Sequence, residues 1–311
     1  MRAPVAFLAL LMAVPLAGCS LNRMAANSVA NTLAAGGDVF GRDDDPELIR
    51  DALPFGLKTM ESLLEVVPRH TGLLLTTCQA FTQYAYGFVQ LDAEMIDQVD
   101  YAHASEMRDR ALKLFVRGRD YGLRGLEVRH RGITRALQSN PDSAARVFRK
   151  DEVPLLYWTA AAWGSAINLG KDRPDLTADI GAVRALIARG LQLDELYQEG
   201  ALHQAMIVIE SLPPAMGGSP ERAREHFRRA VELSGGADPT PFVTMAQSVS
   251  VAAQDRAEFR DLLGRAIAAD PDRLPNHRLA TLLLQRKARV LLEREDELFL
   301  EPDTTSAEDS K

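Results

Sequence analysis

His103 and Glu106 stand three residues apart in a stretch that reads as helix, so both side chains fall on one face and could share a metal ion. One pair supplies only two ligands and no second pair accompanies it, so a solvated helix face is the simpler reading. Asp43, Asp44 and Asp45 precede Pro46 and could collect a cation. Asp45 as N-cap, Pro46 as first helical residue and the helix dipole account for that run with less. Cys78 lies in LLLTTCQAF, an apolar helical run, and reads as a buried small hydrophobe. The six histidines are scattered singly. There is no Gly-x-x-x-x-Gly-Lys-Ser/Thr, Gly-x-Gly-x-x-Gly, Gly-x-Ser-x-Gly or His-Glu-x-x-His motif. The residues support no catalytic set, and neither a metal nor a cofactor is expected.

Two aromatic groups point to binding instead. Phe81, Tyr84 and Phe88 share a helical face from which Tyr86 diverges, and Tyr157, Trp158 and Trp163 form a second group. Such rings could line a ligand cleft or a protein contact, because in a stacked helical array the first helices line the concave face. Packing between repeats is the competing explanation for each of the six.

The N-terminus has its own chemistry. MRAPVAFLALLMAVPLAGCS has a basic start, a short apolar run and small residues before Cys19, the pattern of an export signal. Leu16-Ala17-Gly18-Cys19 resembles the lipobox of bacterial lipoproteins. The resemblance implies cleavage after residue 18, a diacylglycerol on the Cys19 thiol and acylation of the new amine, which would anchor the chain by apolar burial. Ser20, where Asp would favour inner-membrane retention, leans the expectation toward the outer membrane, facing the periplasm. With Cys19 acylated, Cys78 has no intrachain partner, since the chain has two cysteines.

The remaining elements are helical. The chain of 311 residues is 46% hydrophobic, poor in aromatics and rich in Leu, Ala, Arg and Glu, and no period-2 strand run occurs. Its formal charge is −7 with basic residues spread along it, which gives no nucleic-acid footprint. Four fragments repeat a frame of apolar residue, any residue, Arg, small residue: FVRGRDYG, IARGLQLD, FRRAVELS and LGRAIAAD. Their arginines, Arg117, Arg189, Arg229 and Arg265, are separated by 72, 40 and 36 residues. The frame is a packing unit: the small residue lets helices approach closely and the arginine stays at the solvent edge. Ala223, Phe227 and Ala230 match Phe259, Leu263 and Ala266 at an offset of 36 residues. Second helices of this kind, ending near Asp-Pro, resemble the tetratricopeptide (TPR) repeat. Trp158, Ala162, Gly164 and Ala166 resemble its first-helix positions.

The expected fold is all-α: degenerate TPR-like helical hairpins stacked into a superhelical array. The expected pairs are about 70–90 with 102–131, 153–169 with 178–194, 201–211 with 219–234, and 241–253 with 255–269, with a final helix near 274–297 capping the stack. Pro54 reads as a helix break. The expected organisation is a signal peptide over 1–18, a lipidated tether and short helix over 19–45, the repeat domain over 46–300 and a disordered tail over 301–311.

VFGRDDDPELIRDALPFGLKTMESLLEVVPRH, LTTCQAFTQYAYGFVQ, ALKLFVRGRDYGLRGL and PLLYWTAAAWGSAINLGKDRPDL, behind a lipobox, resemble the T component (TatT) family of TPR lipoproteins associated with tripartite ATP-independent periplasmic (TRAP) transporters. The resemblance implies a periplasmic homotrimer whose subunits carry a cleft or pore with an apolar lining. It also implies binding to the substrate-binding protein of a TRAP transporter, helping deliver organic acids or hydrophobic ligands. No ligand residues transfer with it. Two other readings remain open: a generic TPR scaffold for envelope assembly, and an envelope enzyme, which would need acids or histidines gathered in one cleft.

Overall fold

The computed structural model describes residues 21–35 and 39–300, and every regular element among them is helical. The expected signal peptide over 1–18, Cys19 and the expected disordered tail over 301–311 lie outside the described residues. Helix α1 spans 21–35. It packs on the body through Ala26 and Ala30, with the Asn31 carboxamide 2.9 Å from His70 Nε2. α2 (Pro46–Val66) begins where the sequence indicates, the Asp45 carboxylate accepting from the N–H groups of Glu47 and Leu48. Pro54 lies inside α2 rather than ending it. A proline there costs about 3 kcal/mol. Burial of Leu53, Leu57, Met60 and Leu64 along one side of α2 offsets that cost.

The first hairpin pairs α3 (Thr71–Tyr84) with α5 (Tyr101–Arg129). α3 runs through a π-helical turn, Ala85–Gln90, into α4 (Leu91–Ile96). Two short helices not expected from the sequence, α6 (Ile133–Ser139) and α7 (Pro141–Ala145), fill the connection, with Asn140 as cap. The second hairpin is α8 (Val153–Leu169) and α10 (Ile180–Leu193), joined through α9 (Pro174–Thr177). The third is α11 (Ala201–Glu210) and α12 (Pro220–Leu233), the latter capped by Ser219. The fourth is α13 (Thr240–Met245), extended by a second π turn at Ala246–Ser250, with α14 (Arg256–Ile267). α15 (Arg278–Glu293) and α16 (Glu295–Leu298) follow.

The repeated frame packs as its residue types require. Gly118, Gly190, Ala230 and Ala266 are all buried at helix contacts. A Cβ on Gly190 would stand 2.8 Å from the Leu202 side chain. The arginines do more than sit at the solvent edge: each clasps an earlier segment. Arg117 meets Glu61 of α2 at 2.5 Å, and Arg189 donates to the carbonyl of Phe148 at 2.8 Å. Arg229 donates to Glu195 at 2.7 Å, and the Arg265 guanidinium lies 4.3 Å over the Phe242 ring.

α15 does not merely cap the stack. It packs against α13 and α14 on one side and returns to α2 and α4 on the other, so the array closes on itself. The Leu279 N–H donates to the Gly41 carbonyl at 3.0 Å, Arg278 stands 3.6 Å from Asp44, and Arg294 donates to the Glu94 carbonyl at 3.0 Å. Lys287, 6% exposed, lies 3.1 Å from Glu94 Oε2 and 3.4 Å from the Tyr86 hydroxyl. Burial works against the charge of Lys287, but Tyr86 and then Glu94 outweigh that cost, and its ammonium stays protonated well above the usual lysine range.

Candidate functional site

Four of the six aromatic candidates are core residues. Phe81 is buried and stacked on Tyr121 at 5.8 Å, with the Arg117 guanidinium 5.2 Å from its ring. Tyr84 is buried and its hydroxyl accepts from Arg110 at 3.1 Å. Phe88 lies 6.1 Å from Tyr84 and beneath Arg50, whose guanidinium also pairs with Asp92. Trp163 is fully buried, 5.8 Å from the Arg119 guanidinium, and its indole N–H has no acceptor among the described residues. The π turn after Tyr84 adds a residue to one helical turn, and it places Tyr86 apart, at the contact with Lys287.

Tyr157 and Trp158 stand differently. Both are half-buried near the start of α8, edge to face at 5.1 Å, while Leu156, Ala160 and Trp163 fill the core side of that helix. Tyr197 joins them from the connection between α10 and α11, its ring 5.5 Å from Tyr157. Gln198 and Glu199 follow with φ of 43° and 51°, in the left-handed region that non-glycine residues rarely adopt. That strained reversal, next to a half-open aromatic group, is what turns Tyr197 back onto α8. Burial, and then the charge of Asp238, push the Tyr157 hydroxyl up to about 12. Burial, then Tyr157, push Tyr197 well above the usual tyrosine range. Asp238 is held by Gln204, whose amide donates to it at 2.6 Å. Tyr157, Tyr197, Gln204 and Asp238 thus converge where α8, α11 and α13 begin. The chemistry available is ring contact and hydrogen bonding from neutral phenols, suited to holding an apolar or planar organic molecule by one polar edge.

A second feature lies where the array closes. A cavity of about 210 Å³ is lined by Leu91, Met95, Val290 and Leu291, with Glu94, Lys287 and Arg294 among its polar groups. Its charges are already paired, Lys287 with Glu94 and Arg294 with Glu297 at 2.9 Å.

Neither side-chain group considered for metals gathers further ligands: His103 and Glu106 are exposed, 3.8 Å apart, and in the run Asp43 to Asp45 the last carboxylate is engaged as a cap. No group of three or more metal-type side chains occurs among the described residues. Cys78 is fully buried, and burial pushes its thiol up to about 12. Sequence reasoning missed a further pair. His203 of α11 and His226 of α12 place their Nδ1 atoms 2.8 Å apart, and His203 Nε2 lies 3.2 Å from Glu195. Arg229 first, and then His203, hold the Glu195 carboxyl down at about 2. Burial lowers both histidines; Glu195 opposes this at His203, and His203 adds to it at His226. A histidine depressed in the folded state binds fewer protons there than in the unfolded chain, so its contribution to stability is lost as pH falls. The melting temperature is therefore expected to drop as pH goes below about 6.5. His226→Asn should flatten that slope in thermal scans between pH 7.5 and 5; an unchanged slope would assign the pH dependence elsewhere.

Among the described residues no helix is long and apolar enough to cross a membrane. An uncharacterised protein of Treponema pallidum (strain Nichols) is 31% identical over 305 residues, which is 92% of this chain and 94% of that protein. The family model described as TRAP transporter T-component matches residues 42–299, from just before α2 through α16. That match runs over all four hairpins and the closing helix, and the chain belongs to the TRAP transporter T-component family.

Proposed function

We propose that this protein is a non-enzymatic, periplasm-facing lipoprotein, anchored through Cys19, that assembles as a homotrimer and binds the substrate-binding protein of a TRAP-type transporter.

 The protein would assist uptake or delivery of a small organic or hydrophobic ligand. The observation that carries this reading is the half-open group of Tyr157, Trp158 and Tyr197 on an array that closes on itself. Because α15 bridges α13 and α14 to α2 and α4, the two ends of the array meet, which favours a small ligand over the extended chain that a generic TPR scaffold would hold. Membership of a transporter-component family supports the same direction. Of the six aromatic candidates, Tyr157 and Trp158 would meet the ligand, while Phe81, Tyr84, Phe88 and Trp163 are packed in the core.

The two tryptophans of the chain make this testable. Titration with a panel of aliphatic and aromatic carboxylates is expected to change the emission of the wild type and of Trp163→Phe, but not of Trp158→Phe. Trp158→Ala should weaken binding about tenfold, the upper range for one aromatic contact. A ligand that binds equally well to Trp158→Ala would remove the aromatic group from the site.

A further inference from the structure

We infer that α1 is a membrane-docking surface, so that the body of the protein lies against the lipid bilayer instead of hanging from it on a flexible tether. This inference rests on the reading of Cys19 as the lipidated residue. Only Ser20 separates Cys19 from the first residue of α1. Two residues of extended chain span at most about 7 Å. An acyl chain buried in the bilayer from Cys19 therefore brings the start of α1 to the headgroup region.

α1 itself is fixed to the body. Ala26 and Ala30 are buried in the main core, Asn31 bonds to His70, and the Ala34 Cβ sits 3.0 Å from where a Cβ on Gly72 would be. On an α-helix, Leu21, Met24, Ser28 and Ala35 fall along one stripe, on the side away from Ala26 and Ala30. Leu21 and Met24 are 67% and 66% exposed. The stripe carries no charge. Residues 21–35 contain no Asp or Glu and one Arg, Arg23, in a chain whose formal charge is −7. The apolar end of the stripe is thus the end next to the anchor, and the helix lacks the acidic groups that an anionic leaflet would repel. Because α1 is packed on the body, docking α1 also sets the orientation of the hairpins relative to the membrane.

The test uses the acylated full-length protein in vesicles of phosphatidylethanolamine and phosphatidylglycerol. Spin labels are placed one at a time at Leu21→Cys, Met24→Cys, Ser28→Cys and Arg23→Cys, and mass spectrometry of the N-terminus checks acylation separately. The stripe positions are expected to show a several-fold higher ratio of oxygen to aqueous nickel accessibility than Arg23→Cys. The contrast should disappear in unacylated Cys19→Ala protein kept in solution. An acylated protein whose stripe labels are as open to nickel as Arg23→Cys would overturn the docking surface while leaving the anchor intact. An N-terminus without acyl groups would overturn the anchor, and the inference with it.

Discussion

Replacing Glu94 by alanine is expected to destabilise the protein by about 3 kcal/mol, the low end for breaking a buried ion pair. Among the described residues, Glu94 is the carboxylate placed against the Lys287 ammonium, at 3.1 Å, and the lysine side chain is 7% exposed. Without Glu94, Lys287 must either stay charged in a poorly solvated place or lose its proton. The low end applies because Glu94 keeps 29% of its side-chain exposure, so water can replace part of what is lost. The sign of the pH dependence follows. In the wild type, Lys287 is raised by its partners and contributes stability below the unfolded lysine value, lost only as pH climbs through the folded one. In Glu94→Ala the folded value falls below the unfolded one, so stability should rise with pH in alkaline solution. Lys287→Met should cost far less, on the order of 1 kcal/mol, because it leaves a carboxylate that can turn toward water. Chemical denaturation of the three proteins at pH 7 and pH 9.5 measures all of this. A loss well under about 1 kcal/mol for Glu94→Ala would mean that the ion pair does not hold the array closed.

Gly122→Ala is expected to cost about 3 kcal/mol, the upper range for an overpacked core. Gly122 lies where α5 crosses both α3 and α8. An added Cβ would stand 2.3 Å from Thr159 Oγ1 and 3.0 Å from Cys78 Sγ. Neither neighbour can give way easily. Thr159 and Cys78 are fully buried, and the Thr159 hydroxyl donates to the Leu155 carbonyl at 2.6 Å. Removing that hydroxyl should relieve part of the clash. The double variant with Thr159→Ala is expected to recover about 1 kcal/mol relative to the sum of the single effects. Strict additivity in denaturation curves would show that the helices separate instead of clashing at this contact.

The four hairpins were legible because each helix carries its burial in its own periodicity and its start in its own cap. Asp45-Pro46 and Ser219-Pro220 are local signals, and the structure uses both. The closure of the array was not legible. It joins Lys287 to Tyr86 and Arg294 to Glu94, residues about two hundred positions apart, and periodicity shows which face is buried without showing what buries it. One sign was present: Lys287 stands in the apolar stripe of Leu283, Val290 and Leu291, where a charge needs a partner. The π turns at Ala85–Gln90 and Ala246–Ser250 were hidden for a related reason, since one extra residue per turn leaves the composition of the helix unchanged. The sequence groups Trp163 with Tyr157 and Trp158, whereas the structure buries Trp163 and gathers Tyr197 with the other two, because ring type alone does not separate a core face from an open one. Trp158 and Trp163 differ by five residues, and the half-turn between them puts one against the core and the other at its edge. Tyr197 lay beyond reach because a left-handed reversal at Gln198 and Glu199, residues with no turn preference of the glycine kind, brings it into place.

The central claim is recognition of a TRAP substrate-binding protein by an oligomer of this chain. The most direct measurement is the solution mass, by light scattering, of the chain from Ser20 onward, alone and with a TRAP substrate-binding protein from the same organism. The proposed trimer would appear as a species of about 100 kDa, three copies of a chain of 34.1 kDa less the expected signal peptide, and would shift to a larger complex when the binding protein is added. A monomer whose mass does not change on that addition would contradict it.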